Sequence, residues 1–415
     1  MAVNNKFRKY FKKFFNSQNM VEATAVTFWL LKLMGYQVLG LISPTKTTVE
    51  SRFSYFGFCM YIFWYSLYLY CFYVAYYEDQ TILRLIFNTR LKQYGELYEK
   101  AVAIVYVVYL MWKLPFSLHN DPQYARQILE MDAILEKLGA GVDYNKHVLV
   151  SITVGVSQYT IYYFRLLTIW LLLYNLDISV PYEKLYQGVF PDTLSFVITS
   201  CYCYYLLALR ERHTAVNKVL KDIKERKYIV HVMEKSDDSH EELEELCERI
   251  RLCAKVNSVM YAGSETINKH YGFTLFITML SNISYIVLYM FYFMEATAAG
   301  LFLDMKKYIA FLVYVFWQIS YAVVIFILNV YFAESTVREA KRTSFIVHEI
   351  VNCDFGPAVT KEAIQMSQQL FHLVPKFTAS GLYTLDYTLL QEVTRSVLTF
   401  LVILLQFVTD SKSNI

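Results

Sequence analysis

The last apolar run of the chain ends in a Gln-Phe pair, and chemistry can be argued first from this pair. Gln406 and Phe407 close the run from Ser396 to Val408, SVLTFLVILLQFV. An uncharged amide near the end of an apolar helix is costly in lipid unless it meets protein or water. The same helix begins with the polar and charged residues Asp386, Gln391, Glu392, Thr394 and Arg395. Such a helix should pack among other helices with one face on an aqueous path, which is the profile of a pore-lining helix.

A second set of candidate residues lies within the apolar segments and could bind a small molecule. Arg165 lies between Phe164 and Leu166, where a charge is functional or paired. Either a ligand contact or a structural pair with a carboxylate or carbonyl explains it. Tyr and Trp often line sites for small amphipathic molecules, and beside Trp317 we favour Gln318 as the polar contact. The aromatic candidates in the outer halves of the segments are Tyr162, Tyr163, Tyr285, Tyr289, Trp317 and Tyr321.

The elements that carry these residues are predicted to be membrane helices. The chain is 56% hydrophobic and 18% charged, whereas a soluble domain carries about 25% charged residues. Stretches long and apolar enough to cross a bilayer occur seven times,. They are Phe53–Tyr77, Ala101–His119, Val148–Tyr174, Tyr186–Leu209, Tyr271–Ala296, Tyr308–Ala333 and Leu385–Val408. The expected fold is an all-α membrane protein with seven transmembrane helices.

An earlier apolar stretch, Ala23–Ile42, is treated differently. It contains Lys32, Gly35, Gln37 and Gly40. We expect an amphipathic or re-entrant segment that lies against the membrane, with a full span as the alternative.

The distribution of Lys and Arg orients the predicted helices. With a cytoplasmic N-terminus, the inner segments hold 29 of these residues and the outer segments hold 8. Charge bias acts mainly through short loops, and without the long inner loop the ratio is still 17 to 8. The N-terminus is therefore expected inside and the C-terminus outside, the inverse of a G-protein-coupled receptor.

The organisation that follows has a heavy inner side. The expected order is a cytoplasmic N-terminus with the membrane-adjacent segment (1–52), helices one to four (53–209), a cytoplasmic helical extension (210–269), helices five and six (270–333), a cytoplasmic anchor segment (334–384), the seventh helix (385–408) and an extracellular tail (409–415). Helical spacing of apolar residues on both sides of the polar run Glu234–Glu242 predicts that helices extend into the cytoplasm,. These extensions are expected to form an intracellular anchor domain.

Several other classes of protein fit the sequence poorly. The eight His residues are scattered, no Gly-rich phosphate loop is present, and no spacing predicts a metal, a cofactor or a catalytic site,. The seven cysteines lie in spans or on the inner side, so no disulfide framework is expected,. The basic residues are explained by topology, so no nucleic-acid partner is predicted. A secondary transporter would show repeat symmetry and paired broken helices, and we find neither.

The C-terminal residues resemble the signature of insect gustatory receptors, which is Thr-Tyr, five hydrophobic residues and Gln-Phe. Here it stands as Thr399, Phe400, Leu401–Leu405, Gln406 and Phe407, with Phe400 in the place of the usual Tyr. The upstream Ala379-Ser380-Gly381, Thr384-Leu385-Asp386 and Leu389-Leu390 also resemble the family's pattern. The seven spans, the inner N-terminus and the length extend this resemblance to the whole chain.

The resemblance implies a ligand-gated cation channel built as a tetramer, with the seventh helix of each subunit lining a central pore. Gln406 and Phe407 would form the constriction near the outer mouth, Phe407 as an apolar ring that gates by dewetting. Leu405 precedes them, and Thr399 and Phe400 would lie deeper and orient the helix. The implied location is the plasma membrane of a sensory neuron's dendrite, and the implied partners are lipid, a small-molecule tastant and further gustatory receptor subunits, identical or different.

Alternatives within this class remain open. The chain could be an odorant receptor-type channel subunit, or a non-conducting accessory subunit of a heteromeric taste receptor. A bitter or other non-sugar ligand is expected, because aromatic residues crowd the outer halves of the spans and polar groups are scarce there. A densely polar lining would argue for a sugar instead.

Overall fold

The computed structural model describes residues 20–42, 49–77, 90–118, 122–177, 182–226, 238–298, 300–353 and 355–413. Their long helices are α3 (Tyr55–Tyr77), α4 (Arg90–Lys113), α6 (Tyr144–Tyr174), α7 (Tyr182–Glu225), α8 (Asp238–Ala298), α9 (Met305–Val351) and α11 (Tyr387–Ser413). The shorter helices are α1 (Met20–Ala23), α2 (Ala25–Leu33), α5 (Pro122–Lys137) and α10 (Pro357–His372). A π-helical turn, Leu114–Leu118, follows α4, and a 3₁₀ turn, Leu301–Leu303, precedes α9.

Each of the seven predicted spans overlaps one of the long helices; the second, Ala101–His119, continues from α4 through the π-helical turn and ends outside the described residues. By length and composition, five described helical segments could cross a membrane: Tyr55–Tyr77, Tyr182–Glu225, Glu241–Ala298, Met305–Val351 and Tyr387–Leu404. The helices that carry the second and third predicted spans, α4 and α6, have 24 and 31 residues but are not among these five. The structure therefore shows a helical membrane protein with five such segments among the described residues, and the seven crossings stay a prediction.

The N-terminal region is not a single span. Helix α2 has 9 residues, which at about 1.5 Å per residue is far short of a bilayer core of about 30 Å. After it the chain forms a hairpin in which β1 (Leu39–Ile42) pairs antiparallel with β2 (Glu50–Phe53). The predicted cytoplasmic residues before Met20 lie outside the described part of the chain.

The strictly all-α expectation is wrong in detail, because the described residues also contain two hairpins. Besides β1–β2, the strand β3 (Thr378–Ala379) pairs with β4 (Tyr383–Thr384) directly before α11. Ser380 and Gly381 have positive φ angles of 54° and 72°, the left-handed region that a tight turn requires and glycine adopts freely.

The core of the bundle is α7, which packs against α9, α8 and α3. One end of the bundle is where α8 connects to α9, here called the α8–α9 end. At the opposite end α7 and α8 continue as long helices and bury Leu220, Ile223, Leu246 and Ile250. Each such side chain stabilises the packing by about 1.5–3 kcal/mol where the reference environment is water. The polar run expected between these helices, Glu234–Glu242, is divided: residues 238–242 belong to the start of α8, and residues 234–237 lie outside the described part of the chain.

Helix α5 was not predicted and braces that same end. Its apolar positions Ile128, Met131 and Leu135 are buried, and α5 packs against α8. Arg212 of α7 donates two hydrogen bonds to the carboxylate of Asp132 in α5, at 2.8 and 2.7 Å. This buried pair fixes α5 against the core helix.

Candidate functional site

A cavity of about 60 Å³ lies near the α8–α9 end of the bundle, between α4, α7, α8 and α9. The space is large enough for a few water molecules or a small polar group. It is lined by Glu96, Glu99, Lys100, Ala103, Lys184, Gln187, Gly188, Pro191, Asp192, Tyr285, Tyr289, Tyr314 and Gln318. We call this space the polar cavity.

The polar cavity is lined by ionisable side chains that are almost completely buried. Glu96 is 3% exposed, Lys184 is 5% exposed and Asp192 is 8% exposed. Glu99 accepts a hydrogen bond from the hydroxyl of Tyr289. The expectation of a bitter ligand rested on a scarcity of polar groups in the outer halves of the helices. The lining of this cavity is instead rich in polar and charged residues.

Arg165 forms a structural pair beside the polar cavity. Its Nη2 lies 2.6 Å from Oδ2 of Asp192, and it also donates to the amide oxygen of Gln318. The guanidinium carbon lies 4.9 Å from the ring centre of Tyr321, a cation–π distance,. The Tyr321 hydroxyl in turn donates to the backbone carbonyl of Asp192. One arginine thus ties α6, α7 and α9 together.

The remaining candidate residues fall into three groups. Tyr285, Tyr289 and Gln318 line the polar cavity, and the Gln318 amide donates to the Tyr314 hydroxyl at 3.1 Å. Tyr162, Arg165 and Tyr321 line a narrower neighbouring cleft. Tyr163 and Trp317 line neither space: Tyr163 is 61% exposed, and the Trp317 ring packs on Phe164 at a centroid distance of 5.7 Å.

Sequence reasoning missed the charged lining because it placed these residues in short outer loops. Helix α4 begins at Arg90, eleven residues before the predicted span at Ala101, so it carries Glu96, Glu99 and Lys100. The spacing i, i+3, i+4 could have indicated one helical face. Pro191 lies inside α7 and removes the backbone N–H that would bond the carbonyl of Gln187. A proline within an apolar run was a second signal of an unusual helix at this place.

Helix α11 packs on the bundle through one apolar face. Val397 and Leu401 are buried against Ile286 of α8 and Ala322 of α9. Val393 joins the same cluster from the preceding turn, as helical spacing requires. The pore candidate is therefore held by the two helices that also form part of the polar cavity.

The opposite face of α11 is exposed in the isolated chain and largely polar. At alternating intervals of four and three it carries the exposed residues Thr388, Glu392, Arg395, Thr399, Val402 and Gln406. From Glu392 to Gln406 this stripe runs for about 21 Å along the helix. A lipid-facing surface would not hold Glu392 and Arg395, so the stripe must meet protein or water.

Of the described apolar residues in the C-terminal motif, Val402 lies on this stripe and Leu401 on the packed face. Phe400 is 54% exposed in the isolated chain, on the side of α11 that also carries Val393 seven residues earlier,. The backbone of Leu405 and Phe407 belongs to α11, but their side chains lie outside the described part of the structure.

The motif residues upstream of α11 hold the start of this helix. The Asp386 carboxylate accepts from the backbone N–H groups of Thr388 and Leu389, at 2.9 and 3.2 Å, which is an N-cap. The preceding hairpin docks on α8, where Asn268 bonds the backbone at Lys376 and Thr378. The motif thus fixes where α11 leaves the bundle.

Three comparisons with known proteins bear on this architecture. The sequence profile described as 7tm chemosensory receptor matches residues 31–410. The chain belongs to the 7tm chemosensory receptor family. Its family is one of receptors and not of enzymes, and among the described residues no group of three or more His, Cys, Asp or Glu side chains could hold a metal ion.

The curated relatives confirm the resemblance to gustatory receptors. A Drosophila melanogaster protein named gustatory receptor 28b is 22% identical, over 98% of this chain and 90% of its own length. Another from the same organism, named gustatory receptor 28a, is 23% identical over 98% of this chain and 97% of its own.

Solved structures share the fold. The olfactory receptor OR5 of Machilis hrabei superimposes with a TM-score of 0.54 at 12% identity, over 97% of this chain and 99% of that one. The structure of the same receptor in complex with eugenol has the same TM-score at 11% identity, over 92% and 97% of the two chains. At this identity the similarity establishes the fold of the receptor.

Proposed function

We propose that this receptor is a tastant-gated, non-selective cation channel of the plasma membrane, in which α11 of each of four subunits lines a central pore. The observation that carries the proposal is the two-faced packing of α11. Its apolar face is buried against α8 and α9, and its polar stripe faces away from the bundle. A ring of such helices would bring the polar stripes together around water, which removes the cost of exposing them to lipid.

The seven long helices supply the membrane topology of this proposal. In it α3, α4, α6, α7, α8, α9 and α11 cross the bilayer, with the N-terminus inside and the C-terminus outside. The charges at the start of α4 are then partly buried in the bundle near the outer surface, which accounts for its lower apolarity. The helices that continue beyond the membrane, together with α5 and α10, form the cytoplasmic anchor at which subunits associate.

The polar cavity is proposed as the tastant site because it shares walls with the pore helix. Gln318 of α9 lines the cavity, and Ala322, one turn later, packs on Val397 and Leu401 of α11. On α8, Tyr285 lines the cavity while the next residue, Ile286, packs on α11. A ligand that binds the two arrangements of these helices with different affinity would shift the pore between closed and open.

Whole-cell current in cells that express the chain alone tests the proposal. Mixtures of sugars and of bitter compounds should evoke a cation current, and Gln406→Ala should change its amplitude or its ion selectivity. Gln365→Ala is the matched control, because this amide is exposed on α10 in the anchor. Surface-expressed protein that conducts with any mixture but is unaffected by Gln406→Ala would contradict the pore assignment. Protein at the surface with no current to any mixture would contradict gating by these classes of tastant in the homomer.

A further inference from the structure

The polar cavity has the construction of a binding site and not of a solvated surface. Glu96, Lys184 and Asp192 are each more than nine-tenths buried, although charged side chains are rarely buried in this way without a partner or a function. They come from two helices, α4 and α7, and converge on one cavity. The following inference about the ligand rests on the proposed function of this cavity.

The charges that line the polar cavity balance. The carboxylate of Asp192 is neutralised by Arg165, which lies beside the cavity with its Nη2 2.6 Å from Oδ2 of Asp192. Two carboxylates, Glu96 and Glu99, then stand against two ammonium groups, Lys100 and Lys184. A ligand with a net charge would bring a like charge close to one of these pairs, whereas a ligand without net charge would not.

The uncharged lining offers both hydrogen-bond donors and acceptors. Gln187, Gln318, Tyr285 and Tyr314 line the space, and the amide or hydroxyl of each can both donate and accept. An apolar ligand would strip water from these groups and from the charges without replacing its hydrogen bonds. The volume of about 60 Å³ limits the ligand to a small molecule or to the polar end of a larger one.

We infer that the polar cavity binds a small molecule without net charge that is dense in hydrogen-bonding groups, either a polyhydroxyl compound or an amino-acid zwitterion. Both classes present donors and acceptors over a short distance and leave the charge balance of the lining intact. The same chemistry disfavours a purely apolar tastant at this place. The rings of Tyr289 and Tyr314, packed edge to face with their centroids 6.1 Å apart, also line the space and offer apolar contact area for the C–H groups of the ligand.

Binding to the purified full-length receptor tests this inference independently of current. Thermal unfolding is followed with a thiol-reactive dye, since Cys71, Cys201, Cys203, Cys247 and Cys253 are buried in the folded chain. The probes are glucose and glycerol as polyols, glycine and L-serine as zwitterions, and 4-ethylphenol as a mainly apolar compound with a single hydroxyl. A polyol or a zwitterion should raise the melting temperature in a saturable way, and the phenol should not.

Variants of the cavity lining separate specific binding from general stabilisation by the solute. General stabilisation raises the melting temperature of all variants alike. Glu99→Gln should raise the half-saturating concentration at least about tenfold, the effect of losing one charged hydrogen bond. Glu183→Gln, at the residue before Lys184 but not lining the cavity, should change it less than about twofold. Gln187→Leu, which removes an amide without disturbing a charge, gives the same test if Glu99→Gln does not fold.

Three results would overturn the inference. They are a saturable shift with the phenol alone, no saturable shift with any polar probe, and a polar shift that Glu99→Gln and Gln187→Leu leave unchanged. Polar binding without any evoked current would contradict the proposed channel function and leave the inference standing. A phenol-evoked current that is unchanged in both variants would contradict the inference and leave the channel function standing.

Discussion

Neutralising Asp192 alone should destabilise the receptor far more than neutralising Asp192 and Arg165 together. Asp192 and Arg165 are 8% and 2% exposed, and their closest side-chain atoms are 2.6 Å apart. In Asp192→Asn the arginine keeps its charge but loses its counter-ion in the interior of the bundle. In the double variant with Arg165→Gln neither charge is left behind.

The size of the effect follows from the burial of the pair. Removing one partner of a buried ion pair costs about 3–5 kcal/mol, whereas removing both is often close to neutral. With an unfolding entropy of about 2 cal/mol/K per residue, the single change should lower the melting temperature of a chain of this length by about 3–6 °C. The amide that replaces the carboxylate can still accept one hydrogen bond, which places the expected loss at the lower end of this range.

Thermal unfolding of the purified variants measures this difference, and a double-mutant cycle separates the pair energy from the single effects. Glu349→Gln is the matched control, because its pair with Lys224 has a similar distance, 3.0 Å, but its partners are 36% and 40% exposed. This exposed pair should contribute about 0–1 kcal/mol. The reasoning would be refuted if Asp192→Asn were no worse than Glu349→Gln, or if the double variant lost the sum of the two single effects.

Three further predictions concern α11 and the anchor. Asp386→Ala should destabilise the first turn of α11 by about 0.5–2 kcal/mol because the N-cap is lost, whereas Asp386→Asn should retain most of the stability that the cap provides. Amide hydrogen exchange in that turn measures the stability in each variant. Equal exchange rates in the two variants would contradict the cap. The pKa of Glu362 lies below its usual value because Arg251 donates to its carboxylate at 2.8 Å. The contribution of this ion pair to stability is therefore complete above the unfolded carboxyl pKa of about 4.3 and is lost as the pH falls through the lower folded-state pKa. The native protein should lose more stability than Glu362→Gln between about pH 5 and pH 3. Parallel curves of stability against pH for the two proteins would refute this. Arg395 lies on the polar stripe of α11, so a ring of four arginines should repel cations by about 1 kcal/mol after screening. Arg395→Gln should raise single-channel cation conductance about twofold to fourfold, while Lys341→Gln in the anchor should not. An unchanged conductance in Arg395→Gln would place this residue outside the pore.

The class of helical membrane protein could be predicted from the sequence because helix formation in lipid is governed by length and composition. The first predicted span, Phe53–Tyr77, differs by two residues from α3. The resemblance carried by the last thirty residues is likewise confirmed by the match to the family and to gustatory receptor relatives. The polar start of the seventh predicted helix also indicated two different faces. In the structure one face of α11 packs on α8 and α9 and the opposite face is exposed in the isolated chain.

The interior of the candidate site could not be predicted because it depends on which helices meet. Glu96 and Lys184 are far apart in sequence and come together only when α4 and α7 pack. Their charges suggested loops, since a single sequence does not show that a partner or a cavity offsets the cost of burial. Arg165 was recognised as unusual, but its partner Asp192 was not, for the same reason.

Accessibility of α11 to a water-soluble thiol reagent tests the central claim most directly. Thr399→Cys lies on the polar stripe, and Val397→Cys lies on the face that is buried against α8 and α9. If α11 lines the pore, a charged methanethiosulfonate added during ligand-evoked current should block Thr399→Cys and leave both Val397→Cys and the native receptor unaffected. Block of Val397→Cys with Thr399→Cys unaffected, or an evoked current that the reagent leaves unchanged in both variants, would show that α11 does not line the conducting path.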